Sequence, residues 1–188
     1  PTSVHLRYPR TVSSAANQSR YQVRFDWGVD GANAIAPGAH IVIWVDALAD
    51  ASADPQAIAH DGAIVTGSTG SRTAVAQWVL DRQVELADRA YVAVVAAGGP
   101  HGRFTVEDLV AAGSVIDALA DVGLDFTSPE AAAAAGAWVA LRSAGSHVLT
   151  ASVAGQQLLA SAGNAALDAA REANSSAGFG ILRVFRLP

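Results

Sequence analysis

The chain has 188 residues, 51% of them apolar and only 15% charged, with a net charge of −5; that length fits one domain that buries its own core. It contains no cysteine and no lysine, which excludes disulfides, thiolate catalysis, Schiff-base chemistry and a P-loop lysine. No basic stripe, no apolar stretch of membrane length and no leader-like N-terminus is visible, so neither nucleic acid nor membrane is an expected partner and the cytoplasm is the expected compartment.

Residues 1–19 are polar, rich in serine and alanine, and predict a loose N-terminal arm before a single domain over 20–188. "YQVRF" (21–25) alternates as a strand ending at Asp26. "DGANAIAPGA" (30–39) predicts a short helix stopped by Pro37 and Gly38. "HIVIWVDAL" (40–48) is a continuous β-branched run, the pattern of a strand buried on both faces of a parallel sheet. A loop over 49–61 and a short strand, "GAIVTGS" (62–68), follow. In "SRTAVAQWVLDRQVELA" (71–87), Val75, Trp78, Val79 and Leu86 share a helical face.

"AYVAVVAAGG" (90–99) is the clearest buried strand, and 105–123 is an amphipathic helix stopped by Gly123. "SPEAAAAAGAWVALRSAG" (128–145) opens with serine as N-cap and proline at the first helical position. One or two more helices over 146–172 and a last strand, "GILRVF" (180–185), complete the chain. Alternating strands and helices predict a three-layer α/β/α fold with a mainly parallel sheet.

Ligands of open α/β sheets bind beyond the carboxyl ends of the strands. Here those ends carry Asp26, Asp46, Ser68 to Arg72, and the stretch 98–108. Asp26, Asp46, Glu107 and Asp108 offer hard oxygen ligands suited to Mg²⁺, and Arg72 and Arg103 can hold an anion. The turn before Arg72 opens a helix whose first N–H groups suit a phosphate. Competing structural readings exist: Thr105 with Asp108 has the spacing of a capping box, strand-end aspartates often serve turns, and His101 reads as a solvated loop histidine.

The stretch "GRFTVEDLVAAG" after the apolar strand resembles a signature of the 2-phosphosulpholactate phosphatase (ComB-like) family. "IVIWVDAL" and "GSTGSRTAVAQWV" are similar to a strand and a strand-to-helix turn of that family, and "YQVRFDWG", "RTAVAQWVLDRQ" and "SPEAAAAA" to a shorter branch of it. The resemblance covers most of residues 20–185, with the 49–61 loop standing where the family has longer segments. It implies an α/β/α fold and Mg²⁺-dependent hydrolysis of a phosphate monoester, 2-phospho-3-sulpholactate. Asp46, Arg103, Glu107 and Asp108 fall on matching positions. On this reading Asp46, Glu107 and Asp108 are metal ligands or base, and Arg103 with Arg72 stabilises the phosphate charge. The alternative is a catalytically degenerate relative that binds a small anion or a partner protein. Because "AAAAAGAWVAL" is apolar on every side, that helix is expected either inside the domain or at the interface of a homodimer.

Overall fold

A computed structural model describes residues 15–49, 53–100 and 103–185. Its sheet runs β1 (Val23–Trp27), β4 (Val92–Ala96), β2 (Ile41–Val45), β3 (Ala63–Gly67) and β5 (Ile181–Arg183) in spatial order. The first four are parallel and β5 joins the β3 edge antiparallel. β2 and β4 lie inside the sheet and are buried along their whole length, which is why their sequences show no polar alternation. The expected three-layer architecture is present, with unequal outer layers.

One sheet face carries α1 (Gly28–Ile35) and the segment through Ile58, packed on Val42, Trp44, Ile64, Ala93 and Val95. The other face carries α2 (Arg72–Leu86), α3 (Val106–Asp121), α4 (Pro129–Leu141), α5 (Gly145–Ala151) and α6 (Val153–Ser175). Part of the expected loop over 49–61 is therefore core: a short 3₁₀ turn, Pro55–Ala57, is opened by Asp54, whose carboxylate accepts the Gln56 N–H, and it delivers Ile58 against the sheet. The strand read as ending at Asp26 runs through Trp27 and passes directly into α1.

α3 is the central helix of the thicker layer, buried from Val110 through Ile116. It meets α4 at a close approach, where a Cβ on Gly113 would collide with the Ala134 carbonyl. α4 starts as the sequence predicts, with Ser128 Oγ accepting the Ala131 N–H and proline following. It is not buried inside the domain, however. Only Ala131, Ala134 and Trp138 face inward, while Ala132, Ala133, Gly136, Val139 and Ala140 are exposed. Among the described residues no helix is long and apolar enough to cross a membrane. The expected N-terminal arm lies mostly outside the described residues. Its described end is tied to β1 by Gln18, whose amide donates to the Phe25 carbonyl and accepts the Phe25 N–H.

Candidate active site at the carboxyl edge of the sheet

The exit of β2 first packs Ala47 and Leu48 into the core shared with α2 and α3, and the chain is on the α1 face by Ala53 and Ile58, whereas β4 and β3 lead into α3 and α2. Such a divergence opens a crevice beyond the strand ends. Asp46, the first residue after β2, is half-buried there, and Ala47 and Leu48 beside it are core. The exit ends at Ala49 in the left-handed region (φ 52°), a conformation that costs a non-glycine residue free energy and so needs support from its surroundings.

Asp108 fixes this edge. One carboxylate oxygen accepts the Ala47 N–H at 2.8 Å, and the other accepts the Gly98 N–H at 2.9 Å and the Thr105 hydroxyl at 2.8 Å. It therefore joins the ends of β2 and β4 to the first turn of α3. Burial pushes its pKa up to about 7; the Ala47 hydrogen bond opposes this, the Asp46 charge adds to it, and the bonds from Thr105 and Gly98 oppose it. The capping-box spacing does not operate as one. Thr105 is the N-cap, but its side chain accepts no helix N–H and donates to Asp108 instead.

Glu107, the neighbouring residue, is 4% exposed and lines a cleft of about 670 Å³ together with Arg72. The cleft lies between the N-termini of α2 and α3, the end of α4, and the C-terminal part of α6. Arg72 is held in place: its guanidinium donates to the Thr69 carbonyl at 2.5 Å and stacks 5.4 Å from the centre of the Trp138 ring. The turn beneath it is closed by Ser68 and Ser71, each side chain accepting the other's backbone N–H. The Thr69 and Gly70 N–H groups go to Asn174 of α6. That contact requires glycine, because a Cβ on Gly70 would overlap the Ser175 backbone. An anion at this turn thus meets Arg72 and the first turn of α2, not the 69–70 amides.

The other expected residues lie apart. Arg103 is exposed, and its side chain makes no hydrogen bond or ion pair with the described residues; its backbone pairs with Gly99. Asp26 lines a separate pocket with Trp27 and Glu130, and burial raises its pKa, with the Trp27 N–H opposing and the Glu130 charge adding. His101 lies outside the described residues. Trp138, Arg142, Arg171 and Asn174 line the cleft and were missed by sequence reasoning. They sit in Ala-rich helices with no motif around them; the only available signal was that arginine is scarce in that region.

Three carboxylates or histidines that could together hold a metal ion do not cluster among the described residues. Asp108 already accepts three hydrogen bonds; Glu107 lines the cleft, and Asp46 stands outside its lining, at the exit of β2. One or two carboxylates suffice for Mg²⁺ when substrate phosphate and water complete its shell, so the donor set fits a cation shared with substrate and not a pre-built metal cage.

The family model for 2-phosphosulpholactate phosphatase matches residues 34–178. The chain belongs to that family. Its members are phosphoric monoester hydrolases acting on a small phosphate ester, and the match spans β2, both helix N-termini and most of the cleft wall. No curated protein matches the chain significantly.

Proposed function

We propose that this family member hydrolyses a small phosphate monoester of the 2-phosphosulpholactate type at the carboxyl edge of β2, in a Mg²⁺-dependent reaction. The observation that carries the reading is that Glu107 and Arg72, 35 positions apart in the chain, face one cleft. Arg72, with its free N–H directions constrained by Thr69 and Trp138, offers a fixed cation to the phosphate. Glu107 accepts the proton of the attacking water as its oxygen bonds to phosphorus and the P–O ester bond breaks, and the departing alkoxide takes up a proton from solvent to leave as the alcohol. Asp46 and the phosphate oxygens would hold Mg²⁺, which would neutralise charge on the transferring group. Asp108 contributes by fixing Ala47, Gly98 and Thr105 around these groups. The protein works in the cytoplasm as a homodimer that covers the exposed apolar side of α4; Val139→Glu is expected to convert the dimer mass in light scattering to that of a folded monomer.

Phosphate release from 2-phosphosulpholactate, with Mg²⁺ and with a chelator, tests the reading. Glu107→Gln is expected to lower kcat by about a hundredfold or more, the usual scale for a lost general base. Absence of release above that variant would favour the second reading, a relative that binds a small anion or a partner without chemistry. That reading is supported by the lack of a three-ligand metal group among the described residues.

A further inference from the structure

The cleft extends well beyond Glu107 and Arg72. Arg142 follows Trp138 by four positions, at the last turn of α4, so the two side chains leave the helix on the same side. Trp138 is already fixed: its ring carries Arg72, and its indole N–H donates to Asp117 at 3.1 Å. Arg72, stacked on that ring, and Arg142, one turn further along the chain than Trp138, line the same cleft. The third cleft arginine, Arg171, differs. It is engaged by Asp168 at 3.3 Å and by Ser146 at 2.8 Å. Arg142 makes no side-chain hydrogen bond or ion pair with the described residues, although a guanidinium in a cleft is suited to a planar or tripodal anion. The acids Asp168 and Glu172 on the α6 wall keep the cleft from being cationic throughout, so positive charge is concentrated on the Trp138 side.

We propose that Arg142 is a specificity-determining residue: it binds a second, non-transferring anionic group of a phosphate ester whose phosphate lies at Arg72 and Glu107. This rests on the reading that the cleft holds a phosphate monoester. The ligand class is a short ester carrying a sulphonate or carboxylate within a few bonds of the phosphate, both being groups that a guanidinium binds through paired N–H donors. An ester without a second anion leaves Arg142 unused and gains nothing from it.

The test compares 2-phosphosulpholactate, 2-phospholactate and phenyl phosphate as substrates, and sulpholactate and lactate as ligands in calorimetry. In the unaltered protein the esters that carry a carboxylate or sulphonate beside the phosphate are preferred over phenyl phosphate. Arg142→Gln is expected to reduce that preference about tenfold, through KM and not kcat, as loss of uniform binding requires. Arg142→Lys recovers part of it, and Arg89→Gln, on the opposite edge of the sheet, leaves it unchanged. A larger effect on 2-phosphosulpholactate than on 2-phospholactate assigns Arg142 to the sulphonate; equal effects assign it to the carboxylate. Calorimetry reads the same contact without turnover: sulpholactate binding is expected to weaken about tenfold in Arg142→Gln, the scale of one charge-assisted contact. An Arg142→Gln protein that binds sulpholactate and lactate as the unaltered protein does overturns the proposal, whether or not any ester is hydrolysed. Absence of hydrolysis with Arg142-dependent binding intact overturns the phosphatase reading alone.

Discussion

Arg24 and Asp108 are the two most deeply buried ions described, 2% and 3% exposed, and they sit at opposite ends of the sheet. Neither has an ion-pair partner among the described residues; each is satisfied almost wholly by backbone. Arg24 donates to the carbonyls of Ile35 and Pro37, both at 2.8 Å, and to those of Tyr21 and Ser19 at 3.2 and 3.3 Å. It thereby meets the negative end of α1 and lies over the Tyr91 ring. Asp108 does the converse with N–H groups at the strand ends. The difference lies in what each ion holds. Arg24 joins a helix end to an edge strand far from the cleft. Asp108 holds the segment that presents Asp46 and the turn that presents Glu107. The same device is architectural at one edge and sets the site geometry at the other.

Replacing Arg24 by Met has the largest expected effect on stability, because it leaves the buried Ile35 carbonyl, and the part-buried Pro37 carbonyl, without this donor. About 3–5 kcal/mol should be lost in urea unfolding, and Arg24→Lys should restore little, since an ammonium cannot reproduce the planar fork. Activity per folded molecule should not change. Asp108→Ala strands two backbone N–H groups and should cost about 2–4 kcal/mol, with activity lost as well. If Asp108→Asn kept stability yet abolished turnover, Asp108 would act on the substrate directly and the comparison with Arg24 would fail.

Gly113→Ala comes next. Its Cβ would press on the Ala134 carbonyl and stand 3.1 Å from the Trp138 Cβ. Overpacking of this kind costs about 1–3 kcal/mol, and the displacement of Trp138 should lower affinity for anions at Arg72. Unaltered anion affinity with reduced stability would show that the cleft does not depend on the α3–α4 contact.

The smallest effect is one of pH, at the Arg24 end. His40 Nδ1 accepts the Tyr91 N–H at 2.9 Å, which requires a neutral ring. Burial lowers its pKa from the ordinary 6.5, the Asp88 charge opposes this, and the Arg24 charge adds to it. The folded chain then binds fewer protons than the unfolded one just below pH 6.5. This contribution to stability is fully present above that pH and is lost as the pH falls through the folded pKa. Unfolding free energies at pH 7.5 and 5 should differ less in His40→Asn, whose side-chain oxygen accepts the same N–H at any pH.

The strands were legible in the sequence because continuous β-branched runs with turn residues at both ends leave few alternatives, and the helices because their apolar spacing repeats every three to four residues. Asp46 and Glu107 were legible as candidates for the same reason: polar residues at the exits of apolar strands are where ligands of such sheets bind. The sequence could not show that Arg24, in an apparently ordinary alternating strand, points among backbone carbonyls, nor that α4 leaves an apolar side uncovered. It also could not show that Asp108 turns inward while Glu107 beside it faces the cleft. Periodicity reports which residues share a face of one element. What covers that face, and which donors and acceptors meet there, depends on contacts between residues as far apart as Thr69 and Asn174 or Ala47 and Asp108, and those contacts exist only once the layers have packed.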